Sequence, residues 1–454
     1  MSETNKTLTF AGVALLLFLL VLVTAPGTVT PDAFADRGEL FFPEFTNPND
    51  AATMEVIEFN GETASAKPFK VTFRDGRWTI PSHNDYPADG KDRLAQTAAG
   101  VISLRKEDFR SSNVADHEAT GVGDPLDEAL TTLQGRGKRV TLKDPSDQVL
   151  ADIIIGKEVP ERTGFHFVRL PAQKRVYVAK ADFEISTNFG DWIEKDLLQV
   201  EKDGIDNVVI RDYSINERTG VVNQRGTLNL EKDGGTWAAD QMASDEEIDS
   251  VKINELLTAV DELSIVGVRP KPAGLSRSLQ RSAEGMSITE ADMLSLQGKG
   301  FYFSRDGSLL SNEGELQVQT GGGVKYTLRF GEILFGSGED VSAGSESNQD
   351  QSSGPGENRY LFVTSSFQPE LFAEPKQPTN LEFQGKEQAD LSDDDKANKD
   401  LFDAHEAWKK KIEEGTLKSE ELNQRFAGWY YVISSESFDK LHLQRSDLVK
   451  KKTS

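Results

Sequence analysis

Val71-Thr-Phe-Arg-Asp-Gly-Arg-Trp-Thr-Ile-Pro81 decides the reading of this chain, because it returns downstream as Leu228-Asn-Leu-Glu-Lys-Asp-Gly-Gly-Thr-Trp-Ala-Ala-Asp240. Each stretch reads as a strand, an Asp-Gly turn and a second strand opened by a tryptophan, Trp78 or Trp237. Asp-Gly between alternating apolar runs is a strong hairpin signal, because a two-residue connection needs left-handed backbone that these residues tolerate. The order of elements beyond each tryptophan also recurs, so the chain reads as a duplicated module.

Outward from the first hairpin, Met54 to Phe59 is a preceding strand. Leu94, Ala98, Val101 and Ile102 recur at helical spacing after it. Gly121-Val-Gly-Asp-Pro125 breaks the pattern. Arg139 to Leu142 and Leu150 to Ile155 form a hairpin closed by Gly156, and Phe165 to Leu170 pairs with Arg175 to Ala179. Ala181 to Leu198 reads as a helix. The second unit repeats the order. Asn207 to Ile210 leads into the Trp237 hairpin, and Ile253, Leu256, Leu257, Val260 and Leu263 share one helical face. A hairpin around Gly321 to Gly323 then closes at Gly331, where Gly156 stood in the first unit. Trp78, Trp237, Gly156 and Gly331 are thus the markers of the repeat, with both indole rings expected beneath their hairpins. Tyr360-Leu-Phe-Val363 matches Phe165-His-Phe-Val168.

The next strand has two placements. Arg359 to Phe367 can answer Arg175 to Phe183, or Trp429-Tyr-Tyr-Val-Ile433 can answer Arg175-Val-Tyr-Val178. The second supplies every strand once and sets Tyr431 and Val432 against Tyr177 and Val178. Residues 370–425 are then a helical insertion. Ser392 caps its first helix, Leu401, Phe402, His405, Trp408 and Ile412 form a stripe, Gly415 stops it, and Ser419 to Phe426 is a second helix. Residues 336–358 are Ser/Gly/Glu-rich and read as disordered.

The expected fold is α+β: a duplicated module of antiparallel β-sheet plus amphipathic helix, behind one N-terminal transmembrane helix. Its divisions are a cytoplasmic N-terminus 1–7, the span 8–25, a linker 26–50, a first unit 51–198, a second unit 199–445 and a basic tail 446–454. The span is read from Leu8 to Ala25, which holds no charge and has the apolar core Ala14 to Val23. A cleaved signal peptide is the rival, with Ala33-Phe-Ala35 as its site. Lys6 before the segment, with Asp32 and Asp36 after it, favours a cytoplasmic N-terminus and an exported body.

In order, the motifs are Asp75-Gly-Arg-Trp78, Gly121 to Pro125, Ile153-Ile-Ile-Gly-Lys157 and Val176-Tyr-Val178. The second unit carries Asp233-Gly-Gly-Thr-Trp237, Arg329-Phe-Gly-Glu332 and Tyr430-Tyr-Val432. Behind an apolar N-terminal segment, this order resembles the bacterial domain-of-unknown-function family 4340. The resemblance implies an envelope protein found alongside ABC-type export and gliding-motility systems, in an accessory or scaffold role. It brings no catalytic residues. The acidic insertion and Gly123-Asp-Pro-Leu-Asp127 depart from the family pattern.

A net charge of -24 argues against nucleic acid, whose phosphates it would repel. The absence of cysteine excludes disulfides, thiolate metal sites and a cysteine nucleophile. His83, His117, His166, His405 and His442 lack paired zinc-ligand spacing. Ser437-Phe-Asp-Lys440 fits S-x-x-K, the serine-hydrolase nucleophile and base, but reads first as a helix cap after the strand 430–433, and it has no companion motif. Asp390 to Asp395 lacks the register of a calcium loop and reads as a solvated helix start. No catalytic, cofactor-binding or metal residue is therefore expected. The chain reads as a non-enzymatic, single-pass membrane protein with its body on the periplasmic side, acting through protein partners in the envelope. A glycan- or peptide-binding module is the first alternative, and a serine hydrolase the second.

Overall fold

The computed structural model describes residues 3–24, 34–61, 64–130, 132–216, 219–280, 288–304, 306–336, 339–343 and 356–452. It is an α+β protein with two large antiparallel sheets. The chain forms two compact units, residues 1–70 with 91–185, and residues 71–90 with 186–454.

After the N-terminal helix α1 (Glu3–Thr24) come β1 (Thr53–Asn60), β2 (Ser65–Arg74), β3 (Arg77–Ile80) and β4 (Tyr86–Pro87). Next are α2 (Lys91–Ile102), β5 (Asp108–Ser111), α3 (Asp116–Thr120), β6 (Lys138–Lys143), β7 (Val149–Glu158), β8 (Phe165–Arg169) and β9 (Val176–Lys180). Their order in the first sheet is β4-β3-β2-β1-β6-β7-β8-β9-β5. The second half opens with β10 (Ile205–Asn216), β11 (Val221–Asp233), β12 (Thr236–Ala239), β13 (Glu246–Ile248), α4 (Ser250–Asp261) and β14 (Gly267–Pro270). It continues through α5 (Ala273–Gln280), α6 (Glu290–Gln297), β15 (Phe301–Phe303), β16 (Leu309–Ser311), β17 (Glu315–Thr320) and β18 (Val324–Phe335). Last come α7 (Glu339–Ser342), β19 (Glu357–Phe367), α8 (Asp393–Ala427), β20 (Trp429–Ser434), α9 (Ser435–Leu441), α10 (Arg445–Leu448) and β21 (Val449–Lys451). The second sheet is ordered β12-β11-β10-β17-β18-β19-β20-β14. From β3 onward the first sheet has the same order, strand for strand.

Register extends the correspondence to single residues. Ile155, next to Gly156, stands opposite Val168, which stands opposite Tyr177. Phe330, next to Gly331, stands opposite Leu361, which stands opposite Tyr431. Both pairings then shift register at the glycine. A Cβ at Gly156 would strike the backbone of Thr120 and Gly121, and one at Gly331 would strike the Lys299 carbonyl. Each glycine therefore lets a connecting segment cross a bulge at close range. His166 Nδ1 lies 3.1 Å from the Gly156 carbonyl, and Arg359 donates to that of Gly331 at 2.6 Å. The register corrects one match: Tyr360 answers Phe167, because each faces the valine just after the tyrosine of β9 or β20, Val178 or Val432.

Both hairpin turns use left-handed backbone. Asp75 and Gly76 make the first turn at φ 55° and 78°. The second turn is Gly234-Gly235, at φ 54° and 86°, with Asp233 as the last strand residue opposite Thr236. Trp78 and Trp237 are each the second residue of their strand, and both rings are half-buried rather than enclosed. The enclosed indole is Trp192, fully buried with Nε1 donating to Ser186 O at 3.1 Å. Its segment corrects the helix expected over 181–198: beyond the short turn Phe189–Asp191, no helix forms there. Ser186 Oγ accepts from Asn188 N and Asn188 Oδ1 from Gly190 N. Such local side-chain bonds compete with the helical ladder.

The strand of Tyr431 pairs with that of Phe362, so the chain between β19 and β20 leaves the sheet and returns. That excursion holds one helix of 35 residues, not two. Gly415 does not stop it: a Cβ there would run into the Phe367 ring, so glycine serves the close crossing of α8 over β19. The apolar stripe packs on the segment leading into the helix. Phe402 meets Phe383 at 5.6 Å, Trp408 Nε1 donates to Phe372 O at 3.0 Å, and Lys386 binds Asp395 at 2.8 Å. The later half lies on β19, where Ser365 Oγ donates to Ser419 O and Ser365 N to Asn423 Oδ1.

Three expected irregular segments carry structure. From Phe34 the supposed linker is built into the first unit: Gly38 N donates to Lys106 O, Phe41 N to Leu104 O, and Tyr177 Oη to Asp36 at 2.6 Å. Residues 26–33 of it lie outside the described residues. The basic tail forms β21, which pairs with β13 so that Lys451 faces Glu246 and Lys450 faces Glu247. In the stretch expected to be disordered, 339–342 is the short helix α7 with Val341 and Ser342 buried; 337–338 and 344–355 lie outside the described residues. Among the described residues no helix is long and apolar enough to cross a membrane. The described side chains of α1 are nonetheless exposed on every face, with Phe10 at 75%, Leu16 at 67% and Leu20 at 56%.

Candidate functional site

The residues with chemical potential in the sequence are held separately. His83 is buried, stacked on Phe189 at 4.6 Å, with Nε2 2.9 Å from Ser342 Oγ and Nδ1 3.1 Å from Ser82 Oγ. Burial, and then the Arg269 charge, push its pKa down to about 4. His117 Nε2 lies 2.9 Å from Lys174 O. His405 lies 3.2 Å from Glu374 beside Trp408. His442 stacks on Phe438 at 4.7 Å with Nε2 3.6 Å from Asp212, and burial lowers its pKa. Ser437 is not the cap of α9; Ser434 is, accepting from Ser437 N at 3.1 Å. Ser437 Oγ lies 3.1 Å from Ser434 Oγ, while Lys440 binds Glu436 at 2.6 Å. The acidic run folds as a capping box of Ser392 and Asp395, and the hydrogen bond from Lys386 holds the Asp395 carboxyl down to about 2. Among the described residues no three potential ligands gather for a metal ion.

Sequence reasoning missed Lys271. It lies between Pro270 and Pro272 and is only 5% exposed. Its backbone N donates to Gly428 O at 2.8 Å, and Nζ donates to Phe426 O at 3.0 Å. Both acceptors belong to the C-terminal end of α8, where carbonyls lack helical partners and the dipole is negative. Nζ also stands 3.8 Å from the Phe362 ring centre and 5.5 Å from that of Tyr430. Burial drives its pKa well below the lysine range; the ring faces and helix end act the other way, favouring the ammonium. Lys299 lies 4.8 Å from the Tyr430 ring centre, and Tyr430 Oη is 3.1 Å from Ser295 Oγ. The arrangement closes α8 against the sheet. Prolines either side of a lysine are its one local signal, and they do not identify an acceptor 155 positions away.

A groove of about 630 Å³ opens in the second unit between α8, the β17–β18 turn and the segment before β10. Val200, Val324, Tyr326 and Ala407 form its apolar wall, and Gly322 and Gly415 line it without side chains. Lys410, Lys411 and Lys418 line it from α8, with Glu201 and Glu414 as the opposing charges. The Gly321 to Gly323 turn is shaped by packing as well as by φ: at Gly323, φ +83°, a Cβ would meet the Phe372 ring at 2.6 Å.

No curated protein and no solved structure matches the chain. Residues 78–278, from the Trp78 strand into α5 and less than half the chain, match the family described as Domain of unknown function (DUF4340), in support of the family resemblance carried by the repeated motifs.

Proposed function

We propose that this protein is a membrane-tethered scaffold or accessory subunit of the bacterial envelope, its body on the extracytoplasmic side, working by binding other proteins alongside an ABC-type transport system. The observation that carries the proposal is α1. Apolar side chains from Phe10 to Val21 stand exposed around the whole helix, and a helix apolar on all sides needs an apolar environment. The uncharged run reaches from Leu8 to Ala25, whose last residue lies outside the described ones. The body supports a binding role through two sheets of one strand order, with each histidine and Ser437 and Lys440 engaged in local contacts. The test is affinity capture of the full chain from crosslinked bacterial membranes. Subunits of a transport ATPase system are expected among the captured proteins. A chain recovered alone after crosslinking at several spacer lengths would contradict the reading.

A further inference from the structure

We infer that the groove beside α8 binds an organic anion with an apolar body, a carboxylate carried on a short hydrocarbon chain or ring. Its volume, about 630 Å³, lies in the range of small-molecule sites. Its chemistry is divided as such a ligand requires. The apolar wall of Val200, Val324 and Tyr326 suits the hydrocarbon, and Lys410, Lys411 and Lys418 suit the carboxylate. Three lysines against Glu201 and Glu414 leave one net positive charge, on a chain that carries -24 in all. The three ammonium groups give an anion a local attraction on a chain that is acidic as a whole.

None of the lysines is buried in a closed ion pair. Lys410 and Glu414 lie 3.6 Å apart with side chains 75% and 66% exposed, Lys418 donates to Gln199 at 3.0 Å, and Lys411 stands 3.9 Å from the Phe372 ring centre. Exposed pairs of this kind are worth little and yield readily to a ligand. Tyr326 adds a hydroxyl to the lining. Only 2% of the residue is exposed, and it lines the groove. Its hydroxyl can donate a hydrogen bond to a carboxylate bound in the groove. Burial pushes the Tyr326 pKa up to about 12, so the hydroxyl stays a donor at neutral pH.

The probe is 4-phenylbutyrate, titrated calorimetrically into the full chain in lipid nanodiscs, with empty nanodiscs and 4-phenylbutylamine as controls. Saturable one-to-one binding of the carboxylate alone is expected. Lys410→Glu with Lys418→Glu should weaken it at least tenfold. Ala407→Trp, at an exposed helix position, should abolish it while leaving the unfolding midpoint unchanged. Lys440→Glu, on α9 outside the groove, should leave it intact. Equal binding of the amine, undiminished binding in Ala407→Trp, or no saturable binding in the millimolar range would each overturn the inference.

Discussion

At the scale of single residues, burial decides which tryptophan matters. Trp78 and Trp237 mark the repeat, but their half-buried rings keep much of their hydration, whereas Trp192 is wholly enclosed. Trp192→Ala should cost about 3–5 kcal/mol in urea unfolding, and Trp237→Ala about 1 kcal/mol. Equal losses would show the burial reading wrong. His83 supplies a pH dependence. Its folded pKa, about 4, lies below the ordinary 6.5, so the unfolded chain binds the extra proton between those values. Its contribution is therefore complete above pH 6.5 and falls away as pH drops toward 4. His83→Gln should flatten the loss of thermal stability between pH 7 and pH 5; an unchanged slope would place the titration elsewhere. Trp192 was illegible in sequence because neither Ser186 nor Asn188 signals a buried ring, only a turn.

At the scale of elements, α8 shows where local signals mislead. Gly415 reads as a stop, because glycine in a helix costs about 1 kcal/mol relative to alanine. Here the cost is offset by the approach to Phe367 that a Cβ would block. Gly415→Ala should therefore destabilise the second unit by about 1–3 kcal/mol through overpacking, against its helix propensity. A stabilised protein would mean that Phe367 can move aside. Lys271 makes a second test at the far end of α8. Lys271→Met takes the buried donor from Phe426 O and should cost about 1–3 kcal/mol, while Lys271→Ala leaves a cavity as well and should cost about 2–5 kcal/mol. An unchanged midpoint in Lys271→Met would show that the ammonium does not hold α8. The hairpins, by contrast, were legible from Asp75-Gly76 and Asp233-Gly234, although the second turn falls one residue later than the Asp-Gly reading, at Gly234-Gly235, with Asp233 still in the strand. The basic tail was not: Lys450 and Lys451 become a strand only because Glu246 and Glu247 face them.

At the scale of the whole molecule, the repeated strand order comes from recurrences written in the sequence, and the register at Gly156 and Gly331 ties the two copies residue to residue. The packing of the insertion was out of reach, because the partners of Phe402 and Trp408 lie in a stretch without periodicity, Phe372 to Phe383. The groove depends on the same packing, since α8 forms one of its walls. The proposed function requires the body to be tethered outside the cytoplasmic membrane. Because the chain has no cysteine, single cysteines report topology without background. The most direct measurement labels Thr416→Cys and Thr4→Cys separately with a membrane-impermeant maleimide in spheroplasts, followed by membrane fractionation. The account predicts labelling of Thr416→Cys, protection of Thr4→Cys until lysis, and both proteins in the membrane fraction. Protection of Thr416→Cys in intact spheroplasts, or recovery of the chain as a soluble protein beginning at Asp36, would contradict it.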